Sequence, residues 1–390
     1  MTHPNTRITL MKNLAFVLSI AFVATGALRA QKTWIVDQAN GPGTDFTDIQ
    51  PAVDAASAGD RIRIRGGHYT APRITKALTV YADFGGAYIT TTTNVVVIEN
   101  IPKGQTCTVA GFILEGTFVT VRNCPGTVAL TGFAIARGFS PLSTIHVDNC
   151  DAVTVHGCAL KSTIYANRSR VFLADTFLVP TLMINALIGT GISITDSELD
   201  VTNCILRGGD NGSFLGSSPA ITAKGTSKVR VRGDSQTEVS GGGSGASQAS
   251  CMLGSATSTL ELDPRVTTGG PVSGFATVSK QKMVGLSAGF TFLTAATRLQ
   301  LYGRQGEIGA VFVGITSAPK AWPGIGAWWL NSNAEVLLGA SVFGSSESFT
   351  IWLQHLSSPQ FLGLELGYQG LLLTSKVQME FSAPVLQVVR

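Results

Sequence analysis

The chain has 390 residues, of which only 13% are charged and 44 are glycine, and its formal net charge is +4. Globular proteins carry about 25% charged residues, so this composition fits neither an acidic tail nor the clustered basic surface of a nucleic-acid-binding protein. The length allows two or three domains and a large buried core.

Residues 1–30 have the form of a signal peptide. Arg7 and Lys12 make a positive start, 14–24 is apolar except for Ser19, and Ala27 and Ala30 are candidate small residues before a cut. The apolar run is shorter than the roughly 20 residues of a membrane span. Without this segment 25 basic side chains stand against 24 acidic ones, and no later stretch reads as a membrane span. The expected mature protein is therefore near neutral, secreted or held at the cell surface, with no nucleic acid as partner.

Residues 45–56 read DFTDIQPAVDAA and residues 59–69 read GDRIRIRGGHY. Asp48 can cap a short helix that carries Ile49, Val53 and Ala56 on one face. A strand follows with Ile62 and Ile64 inward and Arg61, Arg63 and Arg65 outward. This opening resembles that of the pectin-lyase-like β-helix proteins, pectinesterases among them. The resemblance implies a helix that plugs the open end of a solenoid and protects its edge. It marks a fold and not an activity.

Downstream, Gly111-Phe112-Ile113-Leu114 returns as Gly132-Phe133-Ala134-Ile135, as Gly157-Cys158-Ala159-Leu160 and, more loosely, as Asn203-Cys204-Ile205-Leu206, with 176–179 between the last two. The intervals of 21, 25, 19 and 27 residues bracket the length of one β-helix coil. A second phrase keeps step with it: 119–124 (VTVRNC), 145–150 (IHVDNC) and, fainter, 164–169 (IYANRS). Apolar residues alternate in each copy, as in a half-buried strand, and Asn or a small polar residue marks the turn. The pattern predicts two strands per coil and an all-β fold. That fold is a right-handed parallel β-helix (solenoid) over 31–268, followed by a small C-terminal β-sandwich over 269–390.

Six cysteines, Cys107, Cys124, Cys150, Cys158, Cys204 and Cys251, include no CxxC pair, which argues against zinc. Cys124 and Cys150 occupy equivalent places, as do Cys158 and Cys204 two coils apart with Phe177 between. Inward packing as small apolar residues is expected, with disulfides as the alternative.

A glycine-rich stretch at 240–245 precedes a last coil near 260–262. Strand-like segments then appear at 299–301, 310–315, 334–338, 349–353 and 385–389, spaced as in a β-sandwich. Residues 362–371 and 381–385 are similar to the C-terminal modules of secreted planctomycete proteins, which implies a small all-β accessory domain. Trp322, Trp328 and Trp329 cluster there, as sandwich core or as a sugar-stacking surface, with core the favoured reading.

Superposing the second phrase forms two outward columns, Arg122–Asp148–Asn167 and Thr120–His146–Tyr165. The first phrase forms a third, Glu115–Ala136–Lys161–Arg207, with His156 beside it. Parallel strands lie about 4.8 Å apart, so column neighbours can touch one sugar. The functional reading is a polysaccharide groove. Arg122 and Lys161 meet uronate carboxylates, Tyr165 stacks on a ring with Asn167 alongside, and Asp148 or His146 supplies acid/base chemistry. The competing reading is a solvated face with Arg122 paired to Asp148. Asp196, Glu198 and Asp200 suggest a weak Ca²⁺ site; no other metal or cofactor is indicated.

The catalytic signatures of the resembled family are missing: no QDT-type turn, DFIFG-type strand, NTD, GHG or RIK. Gly67-His68-Tyr69 is the nearest approach and belongs to the end cap. There is no GxSxG elbow, P-loop or HExxH either. Asn167-Arg-Ser and Asn211-Gly-Ser are sequons, relevant only in a eukaryotic host. The expected function is non-catalytic binding of polysaccharide or cell-surface partners by an exported protein. The alternative is a polysaccharide lyase or glycoside hydrolase acting on acidic glycans.

Overall fold

The computed structural model describes residues 31–390 except 91–94, 136–143, 181–189, 210–216, 235, 244–247, 290–295, 323–324 and 354–360. The expected signal peptide, Ala136 and the sequon at Asn211 lie outside the described residues. Among those described, no helix is long and apolar enough to cross a membrane.

The body is the right-handed parallel β-helix that the repeat predicts. Each coil, however, carries three short strands rather than two; one coil is Ile164–Asn167, Arg170–Ala174 and Phe177–Leu178. First and second strands stack into one 18-stranded sheet, and third strands into a 9-stranded sheet. In two coils the first and second strands merge, as Phe118–Thr131 and Ile145–His156.

Two left-handed turns divide the coil. The first is made by Asn100, Asn123, Asn149, Arg168 and Asp196, with φ between 44° and 59°. The second is made by Gly111, Gly132, Gly157, Asp175 and Asn203, with φ between 50° and 77°. Glycine enters this region without strain, and Asn and Asp enter it more readily than other residues. The two phrases in the sequence are thus the first strand with its turn and the second turn with the third strand. The strand between them leaves no period-two signature, because both of its sides are buried: residues 126–131 and 152–156 are inaccessible throughout.

Inward Val, Ile and Leu side chains fill one continuous core from Val36 to Val266. The helix Ile49–Ala55 closes its first end, and Asp48 Oδ1 accepts from the Ile49 N–H at 2.8 Å. Ile49, Ala52 and Val53 face the core, and Ile62 and Ile64 beneath them are fully buried.

All six cysteines are free and buried. Cys124 lies beside Cys150 in register, and the ladder runs on through serines. The Cys150 N–H donates to Ser169 Oγ at 3.0 Å, and the Ser169 N–H to Ser197 Oγ at 3.1 Å. Between Cys158 and Cys204 the inward residue is Thr176, not the expected Phe177. Phe177 pairs with Ala159 and Ile205, points outward and is 42% exposed. In earlier coils this inward place is held by Phe112 and Phe133, whose buried rings stack at 5.6 Å, so a phenylalanine mimics the match one position late.

The parallel ladder continues past residue 268, through Val272–Ser273 and Thr277–Lys280. Two antiparallel sheets follow. One holds Gly285–Ala288, Thr297–Tyr302 and Ser348–Leu353. The other holds Ile308–Trp322, Gly326–Val342, Glu365–Leu373, Met379–Phe381 and Val385–Val388. They share an apolar cluster that includes Ala174 of the β-helix.

This module lies on the second-strand side of the solenoid, which explains the burial there. Thr131 Oγ1 donates to the Leu386 carbonyl at 3.3 Å, and His156 Nε2 donates to the Ala288 carbonyl at 2.8 Å. Asp175 accepts from Ser287 Oγ and the Ala288 N–H. Trp329 is buried with its ring edge-on to Phe172 of the β-helix, whereas Trp328 is half-buried against Phe312 and Phe381, and Trp322 is exposed.

Candidate functional site

With the second side covered, the first-strand stack is a face open to solvent. Its register brings Thr120, His146, Tyr165 and Ser193 into one column. The adjacent column is Glu99, Arg122, Asp148, Asn167 and Thr195. The two predicted columns are therefore real neighbours. Glu99, Ser193 and Thr195 extend them and were missed. The signal for Ser193 and Thr195 was present in 192–196 (ISITD), an alternating strand ending on a turn residue, whereas 95–100 (VVVIEN) ends on a turn residue without the alternation that would have marked Glu99.

The first column is an aromatic stack. The His146 and Tyr165 rings lie 5.1 Å apart at 17°, and Phe118 packs on the other side of His146 at 6.3 Å. Burial pushes the His146 imidazole below its usual range, which keeps it neutral at pH 7. The stack stops at Tyr165, because the next rung is Ser193. A shallow depression of about 240 Å³ opens there, lined by His146, Asp148, Tyr165, Asn167, Ser193 and Thr195.

The second column is a chain of polar contacts. The nearly buried Glu99 is gripped by two guanidiniums: Arg122 Nε donates to Oε2 at 2.7 Å and Arg73 Nε to Oε1 at 2.6 Å. Arg122 foremost, and Arg73 with it, hold the Glu99 carboxyl below the ordinary carboxylate range against the opposing effect of burial. The expected Arg122–Asp148 pair therefore does not form, although the two are in register. A carboxylate as buried as Glu99 needs charged partners, and Arg122 is committed to it. Asp148 instead accepts from Asn167 Nδ2 at 2.7 Å and from Arg168 Nη2 at 3.3 Å, both on Oδ1.

Lys161 is not on this face. It follows Ala159–Leu160, a third strand of the other sheet, so it does not converge with Arg122 on one ligand. Glu115 and Arg207 share that other sheet, with Arg207 bonded to Glu238. His156 is buried under the C-terminal module, 3.3 Å from Asp175.

The three acids proposed for calcium are dispersed. Asp196 sits in a turn and accepts from the Thr226 N–H at 2.9 Å, Glu198 lies 3.3 Å from Arg170, and Asp200 is buried against Arg232 at 2.6 Å. Among the described residues no group of three His, Cys, Asp or Glu side chains is placed to hold a metal.

No family model matches the sequence, and no curated protein matches it. Solved structures that overlap it include two variants of the tailspike protein of E. coli bacteriophage HK620, each in complex with a pentasaccharide. Both are 9% identical and cover 87% of this chain and 88% of that chain, with TM-scores of 0.22 and 0.20. Overlap at that level carries no argument about the site.

In chemical terms the face offers an aromatic surface with a carboxylate, an amide and two hydroxyls beside it. Apolar ring faces and hydroxyl edges are the two features of a sugar that such a set recognises. Among the described residues Asp148 is the one carboxylate lining the depression. Glycoside hydrolysis uses two carboxyl groups roughly 5–9.5 Å apart.

Proposed function

We propose that this chain is an exported, non-catalytic glycan-binding protein on a pectin-lyase-like scaffold, and that it binds polysaccharide on the first-strand face. The observation that carries this reading is the stacked His146–Tyr165 pair, which ends beside Asp148 and Asn167 in an open depression. Tyr165 is 40% exposed although its neighbours in the stack are partly covered. An aromatic ring held rigidly by a ladder, with hydrogen-bonding groups at its edge, is pre-organised for a ligand and loses little entropy on binding.

A binding role fits the state of the acids. Glu99 is locked between two arginines, and Asp148 already serves Asn167 and Arg168. The test is incubation of the purified protein with a panel of polysaccharides, recording both retention and release of reducing or unsaturated ends. Retention without release is expected. Release that disappears in Asp148→Ala or His146→Ala would replace binding by lyase or hydrolase chemistry on the same face.

A further inference from the structure

The aromatic ladder of the first-strand face is incomplete by one rung, and the gap has a definite shape and charge. His146 and Tyr165 stack in register, Phe118 leans on His146 from two residues before its register neighbour Thr120, and the next place in register after Tyr165 is Ser193. Adjacent parallel strands lie about 4.8 Å apart and aromatic partners stack at centroid separations of about 4.5–7 Å. A ring laid over Ser193 therefore reaches stacking distance of the free face of Tyr165. The depression there is smaller than the ~300 Å³ at which pockets for drug-sized ligands begin, which suits one ring of a longer chain.

The charges around the gap select the class of ring. Arg73 and Arg122 both neutralise Glu99, and Arg168 is turned to Asp148. Both contacts to Asp148 among the described residues fall on Oδ1, which leaves Oδ2 as an acceptor on a residue that lines the depression. Beyond Thr195 the column reaches Lys224, two strand spacings or about 10 Å from Asn167, and farther from Asp148. Thr195 itself lies one strand spacing, about 4.8 Å, from Lys224, so that cation stands at the far edge of the gap and not against Asp148. A uronate or sulfate group placed against Asp148 Oδ2 would meet a carboxylate whose contacting cation, Arg168, is already engaged on Oδ1, and like charges in proximity are unfavourable. A sugar hydroxyl meets an acceptor that suits it.

Resting on the glycan-binding reading above, we propose that the ligand's contact residue is a neutral sugar ring. It completes the ladder by stacking on Tyr165 over Ser193, with hydroxyls bonded to Asp148 Oδ2, Asn167 and Thr195. This is the opposite of the acidic glycan that the sequence columns suggested with Arg122 and Lys161.

The full chain is run in affinity electrophoresis through gels holding neutral polymers (dextran, a β-1,3-glucan, galactomannan) and, in parallel, polygalacturonate, alginate and dextran sulfate. Retardation by at least one neutral polymer, insensitive to added salt, is expected. Ser193→Phe fills the missing rung with a protein ring, and Tyr165→Ala removes the platform. Each weakens retention about tenfold or more. Thermal melting of each variant verifies the fold, and Ser193→Tyr serves if Ser193→Phe melts early. Retention by the acidic polymers alone overturns the neutral class and leaves glycan binding standing. Retention by neutral polymers that ignores Ser193→Phe and Tyr165→Ala overturns the site. Retention by none overturns both readings.

Discussion

Asp200 and Arg232 meet across adjacent coils at 2.6 Å, and both are buried where the C-terminal module covers the solenoid. The same guanidinium donates from Nη1 to the carbonyls of Val284 and Phe381, so one charged pair fastens the two parts of the chain. Burial raises the Asp200 pKa above its ordinary value, with Arg232 the foremost opposing influence.

Arg232→Leu strands that carboxylate in a dry interface. Breaking a buried pair from one side costs about 3–5 kcal/mol, which a shift of the urea midpoint reports. The sign of its pH dependence is fixed. Without Arg232 the folded-state pKa of Asp200 lies farther above the unfolded value. Stability is then retained below the unfolded pKa and lost as pH rises through the folded one. The deficit of Arg232→Leu relative to wild type is therefore expected to be larger at neutral pH than at a pH near the ordinary carboxyl value of 3.8. A pH-independent deficit would remove Asp200 from the explanation.

Glu99 predicts the reverse. Arg122 and Arg73 depress its pKa below 4.5, so its contribution is complete above the unfolded value and is lost as pH falls through the lower folded one. The two arginines are 47% and 63% exposed, which limits the effect to about 1 kcal/mol through solvent screening. Melting curves between about pH 5 and about pH 3 are expected to fall more steeply in wild type than in Glu99→Gln. Equal slopes would mean that the pair contributes nothing measurable.

How much of this was legible depended on whether a strand has one wet side. Val119, Val121 and Cys124, or Ile145, Val147 and Cys150, alternate with polar residues because solvent lies opposite the core, and the register deduced from them holds. The run Thr127–Thr131 carries no such code, since the C-terminal sheets bury its outer side as well. For the same reason His156, which the sequence sets beside an outward column, is an interface contact, as are Thr131 and Asp175. At the candidate site, sequence columns place neighbours within one phrase but not the phrases around the coil. Lys161 was thus set beside Arg122 although they lie on different sheets. Glu99, the true partner of Arg122, is 23 residues earlier in a coil that lacks the polar alternation of the later copies.

The cysteine ladder makes a chemical prediction. All six thiols are free and buried, and burial pushes Cys251 up to about 11 and Cys107 and Cys158 up to about 12. Thiolate is the reactive form and burial shields all six side chains from a reagent, so a disulfide reagent near pH 8 is expected to label none in the native protein and all six after denaturation without reductant. Fewer than six in the denatured chain would reveal disulfides. Cys124 and Cys150 are then the pair to examine, since adjacent strands hold Cα atoms at about 4.8 Å, inside the disulfide range.

The first turn of the coil supplies the sharpest backbone test. Asn123 and Asn149 occupy it in successive coils with φ of 52° and 54°, and Asn149 Nδ2 donates to Asn123 Oδ1 at 3.0 Å. An alanine at either place keeps the left-handed strain, about 1–2 kcal/mol for a side chain without local hydrogen bonds, and loses the side-chain bond. A glycine also loses the bond but removes the strain. Asn149→Ala is therefore expected to lower the urea midpoint clearly, and Asn149→Gly to lower it by about 1 kcal/mol or less. Both residues are exposed at this turn, so packing changes do not confuse the comparison. If the two variants are equally destabilised, the side-chain bond and not the backbone conformation governs this turn, and the recurrence of Asn there reflects stacking of amides along the solenoid.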